Sequence, residues 1–196
     1  MQVVDPSVVV INTVDNSAYS MIERVGRICY KSENMITNDS AVKFVTAMYK
    51  NGHHAMLEHY HVMLGFDIVS MNTLLASITR YSGNHSVNLF KFINITNLVR
   101  GGRTFCFASA SLRAWMELIR TLKGDPFANH LGYILFCEYP ELFPEFTNPT
   151  YKCAVSIWEW DEFELHVNST DFLEPHERKD IMMHHKPITV IFTCDM

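Results

Sequence analysis

The run Pro187-Ile188-Thr189-Val190-Ile191-Phe192-Thr193-Cys194 constrains the fold most, because its β-branched residues and alternating apolar positions read as a strand. A buried strand needs neighbours, so a sheet is required. Val8-Val9-Val10-Ile11, between Pro6 and the polar Asn12 and Asp15, reads as a second short strand. Between these ends the apolar period becomes helical. Ile22, Val25, Ile28 and Cys29 form one face of a helix predicted over 17–30. Asn38, Asp39 and Ser40 offer N-caps for a second helix with the stripe Ala41, Phe44, Val45 and Met48, and Asn51-Gly52 ends it.

Further along, 60–68 reads as extended and 71–80 as helical, followed by strands over 89–95 and 104–107. Gly101-Gly102 within 99–103 marks the turn between those strands. Leu112, Trp115, Met116 and Ile119 mark a helix, and 126–137 reads as another. Pro140, Pro144 and Pro149 mark a loop, Trp158 to Glu162 an acidic-aromatic edge or packing segment, and Glu174-Pro175 a helix start. The expected fold class is α+β, with helices packed on a mainly antiparallel sheet.

With 196 residues, 48% of them hydrophobic, the chain is large enough for one substantial core with room for an inserted subdomain. No run of 18 apolar residues is present, so no membrane span is expected. The N-terminus lacks a basic region before a long apolar core, which points away from a secretory signal and towards the cytoplasm. Cys29, Cys106, Cys137, Cys153 and Cys194 show no paired spacing and are expected to be reduced and mostly buried. A net charge of -5 gives no general attraction for a nucleic acid polymer.

The densest cluster of reactive side chains is Gly52-His53-His54-Ala55-Met56-Leu57-Glu58-His59-Tyr60-His61. One reading is a metal site with His54 and Glu58 at i, i+4 on a helix and His61 as a third ligand, although the His-Glu-x-x-His spacing is absent. Another is structural, with His53 closing the preceding helix and Glu58 paired to a cation.

A third reading comes from resemblance. Arg27-Ile28-Cys29-Tyr30-Lys31-Ser32-Glu33, a following helix, and Gly52-His53-x-x-x-x-Glu58-His59 resemble the opening of flavin-dependent thymidylate synthases, in order, separation and helical context. Thr189-Val190-x-Phe192-x-Cys194-Asp195, preceded by His184 and His185, is similar to the family strand that leads into its Arg-His-Arg signature. The signature itself is absent from these 196 residues, so the chain is expected to be the N-terminal portion of such a protein, incomplete at its C-terminus. The resemblance divides it into a family core over 1–68, an insertion subdomain over 69–183, and a strand returning to the core over 184–196. Ser109 to Trp115 resembles a Ser-Gly-Asn-x-Arg-Ala-Trp segment, with Ala110 for the glycine and Ser111 for the asparagine, and Arg113 is read there as structural. Arg80, in Thr79-Arg80-Tyr81, is not read as a degraded signature because no glutamine or histidine accompanies it.

The resemblance implies reductive methylation of dUMP to dTMP, with FAD as cofactor and NADPH and methylenetetrahydrofolate as co-substrates, in a cytoplasmic homotetramer. It places His53, Ala55 and Glu58 at the flavin, with no metal. Ala55 stands where the family has Ser or Thr, which removes one hydroxyl from the expected cofactor contacts. The alternative expectation is a non-catalytic relative that keeps the scaffold as a binding or assembly module; a metal-dependent hydrolase is the third.

Overall fold

The structure is a computed structural model that describes residues 7–10, 18–84, 92–100, 103–148, 155–158, 174–179 and 190–193. It is an α+β protein whose described strands all pair antiparallel. The chain divides into two compact units, one comprising Met1–Tyr60 with Pro187–Met196 and the other His61–Lys186.

In the first unit, strand β1 (Ser7–Val10) pairs with β6 (Val190–Thr193), with Ser7 opposite Thr193 and Val10 opposite Val190. The two β-branched runs thus satisfy each other's backbone groups, although they lie near opposite ends of the sequence. Helix α1 (Ala18–Cys29) buries Met21, Ile22 and Val25, and α2 (Ser40–Lys50) buries Ala41 and Val45. The helices approach closely at Gly26, where a Cβ would lie 2.5 Å from the rim of the Phe44 ring. A 3-10 turn, Glu33–Met35, follows α1, and a second, His54–His59, follows α2 and contributes the buried Leu57.

The expected extended segment of the second unit is β2 (His61–Phe66), which is buried from Val62 onward. A strand buried on both faces belongs in the middle of a sheet, and the sheet order is β3 (Ile93–Arg100), β4 (Arg103–Ser111), β2, β5 (Val155–Trp158). Helix α3 (Ile68–Asn84) extends beyond 71–80 at both ends, and its earlier start follows from the Asp67 carboxylate, which accepts from the Ser70 N–H and caps the first turn. Strand β3 (Ile93–Arg100) is displaced towards the C-terminus from the expected 89–95, and β4 (Arg103–Ser111) is longer than 104–107. Their register runs from Ile93 opposite Ala110 to Arg100 opposite Arg103, so pairing continues to the brink of the two glycines, which lie outside the described residues. Cross-strand pairing therefore decides these limits, where apolar content alone misplaces them.

Strand β4 runs directly into α4 (Leu112–Thr121), and Ser111 serves both elements: it pairs with His61 in the sheet, and its hydroxyl accepts from the Ala114 N–H to cap the helix. The buried Trp115 indole N–H donates to the Val62 carbonyl at 3.1 Å, fixing α4 on β2. Helix α5 (Pro126–Glu138) begins with Asp125 as N-cap and proline at its first position. The expected proline loop is not simply solvent-facing: Leu142, Phe143 and Phe146 are buried, and Arg120 holds the segment through Glu145 Oε1 and the Leu142 carbonyl. Trp158 lies in β5 (Val155–Trp158), an edge strand among the described ones, opposite Met63; 159–162 lie outside the described residues. Residues 175–179 are helical, with Arg178 N–H donating to the Glu174 carbonyl.

The described cysteines depart from expectation in burial only. Cys29 and Cys137 are exposed and Cys106 is buried, all three as free thiols; Cys153 and Cys194 lie outside the described residues. Burial, followed by the nearby Asp67 charge, pushes the Cys106 thiol above its ordinary range. Cys29 shares the apolar period of α1 but sits in its last turn, where the chain leaves the helix packing. Among the described residues, no helix is long and apolar enough to cross a membrane.

Candidate functional site

Both helices of the first unit end in the same way. Lys31 adopts φ 50°, its N–H donates to the Ile28 carbonyl, and the Ser32 N–H reaches the Arg27 carbonyl at 2.9 Å. At the end of α2, Gly52 adopts φ 79°, its N–H donates to Tyr49, and the His53 N–H reaches Met48 at 3.0 Å. These are two Schellman closures, one built on the glycine that suits it and one on a lysine that does not. Their outcome is local and specific: Tyr30, at the end of the first helix, meets His53, just past the second. Tyr30 Oη lies 3.1 Å from His53 Nδ1, with the rings edge-on at 84° and their centroids 6.1 Å apart.

The histidine-rich segment then winds as a 3-10 helix, not an α-helix. With three residues per turn, positions three apart share a face. His54 and Leu57 share the inward row: Leu57 is buried, while His54 is half-buried, stacked on Tyr49 with centroids 5.3 Å apart, its Nε2 3.3 Å from the Tyr49 carbonyl. Ala55 and Glu58 share an outward row, and both are exposed, as is His53. The three residues named from the sequence therefore occupy one short exposed stretch, His53 at its start and Ala55 and Glu58 eclipsed beyond it.

This winding undoes the metal geometry considered from sequence, which needs His54 and Glu58 on one α-helical face. Here they sit on different rows, and among the described residues no three His, Cys, Asp or Glu side chains group as metal ligands. The structural reading of His53 holds for its backbone, which closes α2, while its side chain turns to Tyr30.

Arg27, the first residue of the quoted motif, is committed internally. Its Nε lies 3.1 Å from Glu23 Oε1, and its guanidinium carbon sits 4.3 Å over the Phe44 ring centroid. The second carboxylate oxygen of Glu23 accepts from the Ser40 hydroxyl at 2.9 Å, and that hydroxyl accepts in turn from the Thr37 N–H. This network ties α1 to the start of α2 and so sets where both helix ends emerge.

In the second unit, Arg80 pairs with Asp125, the N-cap of α5, and Arg113 is exposed in the first turn of α4. Both are thus described as parts of helix ends. Reading for reactive clusters missed Glu23, and it gave Tyr30, although quoted in the motif, no contact with His53. Glu23 looks like a solvent-side charge on the helical period, and nothing in the linear pattern announces that Ser40 and Arg27 enclose it. No family model matches the sequence, and no curated protein matches it.

Proposed function

We propose that this chain belongs to the flavin-dependent thymidylate synthases, and that His53, Ala55 and Glu58 form one wall of its FAD site. The supporting observation is the Tyr30–His53 contact, which joins the Arg-x-Cys-Tyr segment to the Gly-His-x-x-x-x-Glu-His segment in space as well as in order. The exposed stretch suits a cofactor wall, since a ring donor at its start is followed by a side chain too small to block approach and a carboxylate acceptor, the last two on one row. When bound, the flavin supplies redox chemistry between NADPH, methylenetetrahydrofolate and dUMP, yielding dTMP. The residues of this chain orient it: His53 donates, Glu58 accepts, and Ala55 offers backbone alone. Lacking the family hydroxyl at Ala55 costs about 1 kcal/mol, or roughly fivefold in affinity.

In this reading the protein acts in the cytoplasm as a homotetramer. The guanidinium groups needed by two anionic ligands belong to the Arg-His-Arg segment, which these 196 residues do not contain. Arg27 is no substitute, being held by Glu23 and Phe44. Ala55, which lacks the family hydroxyl, is the observation that favours the second reading, a non-catalytic scaffold of the same family.

FAD fluorescence titrated with the purified 196-residue chain tests the proposal. Saturable quenching, lost in the double variant His53→Ala with Glu58→Ala, is the expected result, with no dTMP formed from dUMP. No quenching, or quenching unchanged in the double variant, removes the flavin reading, and dTMP formation overturns the division of the site.

A further inference from the structure

We infer that Tyr30 is a positioning residue that holds His53 as its Nε2-protonated tautomer, so that the imidazole presents a neutral N–H donor to an acceptor oxygen of the flavin dinucleotide. The ligand part rests on the flavin reading above; the dyad does not.

Two arrangements satisfy a 3.1 Å contact between a phenol oxygen and Nδ1. Either the phenol donates and Nε2 carries the ring proton, or Nδ1–H donates and Nε2 is left as an acceptor. A phenol is much the stronger acid, and an imidazole nitrogen much the stronger base, so the phenol donates. The remaining ring hydrogen then sits on Nε2 of an exposed side chain. Both backbones are fixed independently of this bond: the Ser32 N–H bond to Arg27 pins the residue after Lys31, and the His53 N–H bond to Met48 pins His53 itself. The phenol and the imidazole therefore meet from two locked helix ends, with little ordering left for a ligand to impose. His54 supplies an internal contrast. Its Nε2 faces the Tyr49 carbonyl, which can only accept, so its donor is already spent on α2.

The experiment is nitrogen NMR of the histidine rings in the full chain at pH about 8, where an ordinary imidazole is neutral. The expected result is His53 wholly in the Nε2-protonated form in the wild type. In Tyr30→Phe its Nδ1 resonance shifts and a tautomer mixture appears, while His54 is unmoved. Proton occupancy of Nδ1 in the wild type, or an Nδ1 signal insensitive to Tyr30→Phe, overturns the inference. Tyr30 is half-exposed and Phe keeps its ring, so the fold survives the substitution. Titration of FAD supplies the second readout. Tyr30→Phe weakens binding about fivefold in the wild-type background and has no further effect in His53→Gln, which keeps an N–H donor without needing the phenol. Equal losses in both backgrounds overturn the positioning role. Absence of FAD binding by the wild type, with the NMR response intact, removes the flavin reading and leaves the Tyr30–His53 dyad supported.

Discussion

Glu23 Oε1 and Arg27 Nε lie 3.1 Å apart, one turn along α1, with the glutamate side chain only 2% exposed. An acid this enclosed is stable because both oxygens are used, one by the guanidinium and one by the Ser40 hydroxyl. Glu23→Ala removes both and leaves the guanidinium over Phe44 without its counter-charge, at a cost of about 3 kcal/mol. Urea unfolding followed by circular dichroism should show a clearly lower midpoint, and an unchanged midpoint rejects this account. Arg27→Lys keeps the charge but loses the planar stacking on Phe44, and should fall between Glu23→Ala and the wild type.

Lys31 occupies the left-handed region at φ 50°, where a side chain is unfavourable. Lys31→Gly should therefore stabilise the first unit, by about 0.5–1 kcal/mol after the extra freedom of glycine in the unfolded chain is subtracted. Gly52 has φ 79°, and no atom lies within 4 Å of where a Cβ would stand, so Gly52→Ala should destabilise by about 1 kcal/mol through backbone strain alone. Thermal melts of the two variants should move in opposite directions, and a shared direction contradicts the conformational argument.

Asp125 accepts from the Phe127 and Ala128 N–H groups and pairs with Arg80. Burial works to raise its pKa, but the Arg80 hydrogen bond, the two backbone N–H groups and the Arg80 charge outweigh it, so the carboxyl lies below its ordinary value. With the folded pKa depressed, the stabilisation is complete above the unfolded value, about 3.9, and is lost as pH falls through that value and the lower folded one. Asp125→Asn should cost about 1 kcal/mol at neutral pH and progressively less in acid. Urea midpoints of both proteins across the acid range check this, and a gap that widens as pH falls contradicts the sign.

Gly132 in α5 faces Phe146 so closely that an added Cβ would lie 2.4 Å from the ring, near its attachment. Because Phe146 is buried, the ring has little room to withdraw. Gly132→Ala should cost about 1–3 kcal/mol despite alanine's better helix propensity. Gly26→Ala should cost less, since there the clash is with the far rim of the half-buried Phe44. Paired unfolding curves test the order, and a stabilised Gly132→Ala would refute the packing argument.

Helix positions were legible where the deciding forces are short-ranged. The apolar period of 17–30 and the Asn51-Gly52 ending correspond to α1 and α2 within a residue or two, and Pro126 opens α5 as proline does at a first turn. Strand limits were less legible. Ile93–Arg100 is set by the partner residues of β4, and a single strand does not carry its partner's register. The 3-10 winding of His54–His59 also escaped, because its apolar content fits either helical period over so few residues.

The sequence by itself determined that sheet and helices coexist, where the second helix stops, and that histidines and a glutamate follow its end, since periodicity, caps and glycines act over a few residues. Only the tertiary structure decided that Glu23 is enclosed, that Trp115 reaches the Val62 carbonyl, and that Tyr30 meets His53 across 23 positions. Those outcomes depend on which surfaces are brought together, and burial and hydrogen-bond partnership belong to pairs of distant residues, not to either one alone.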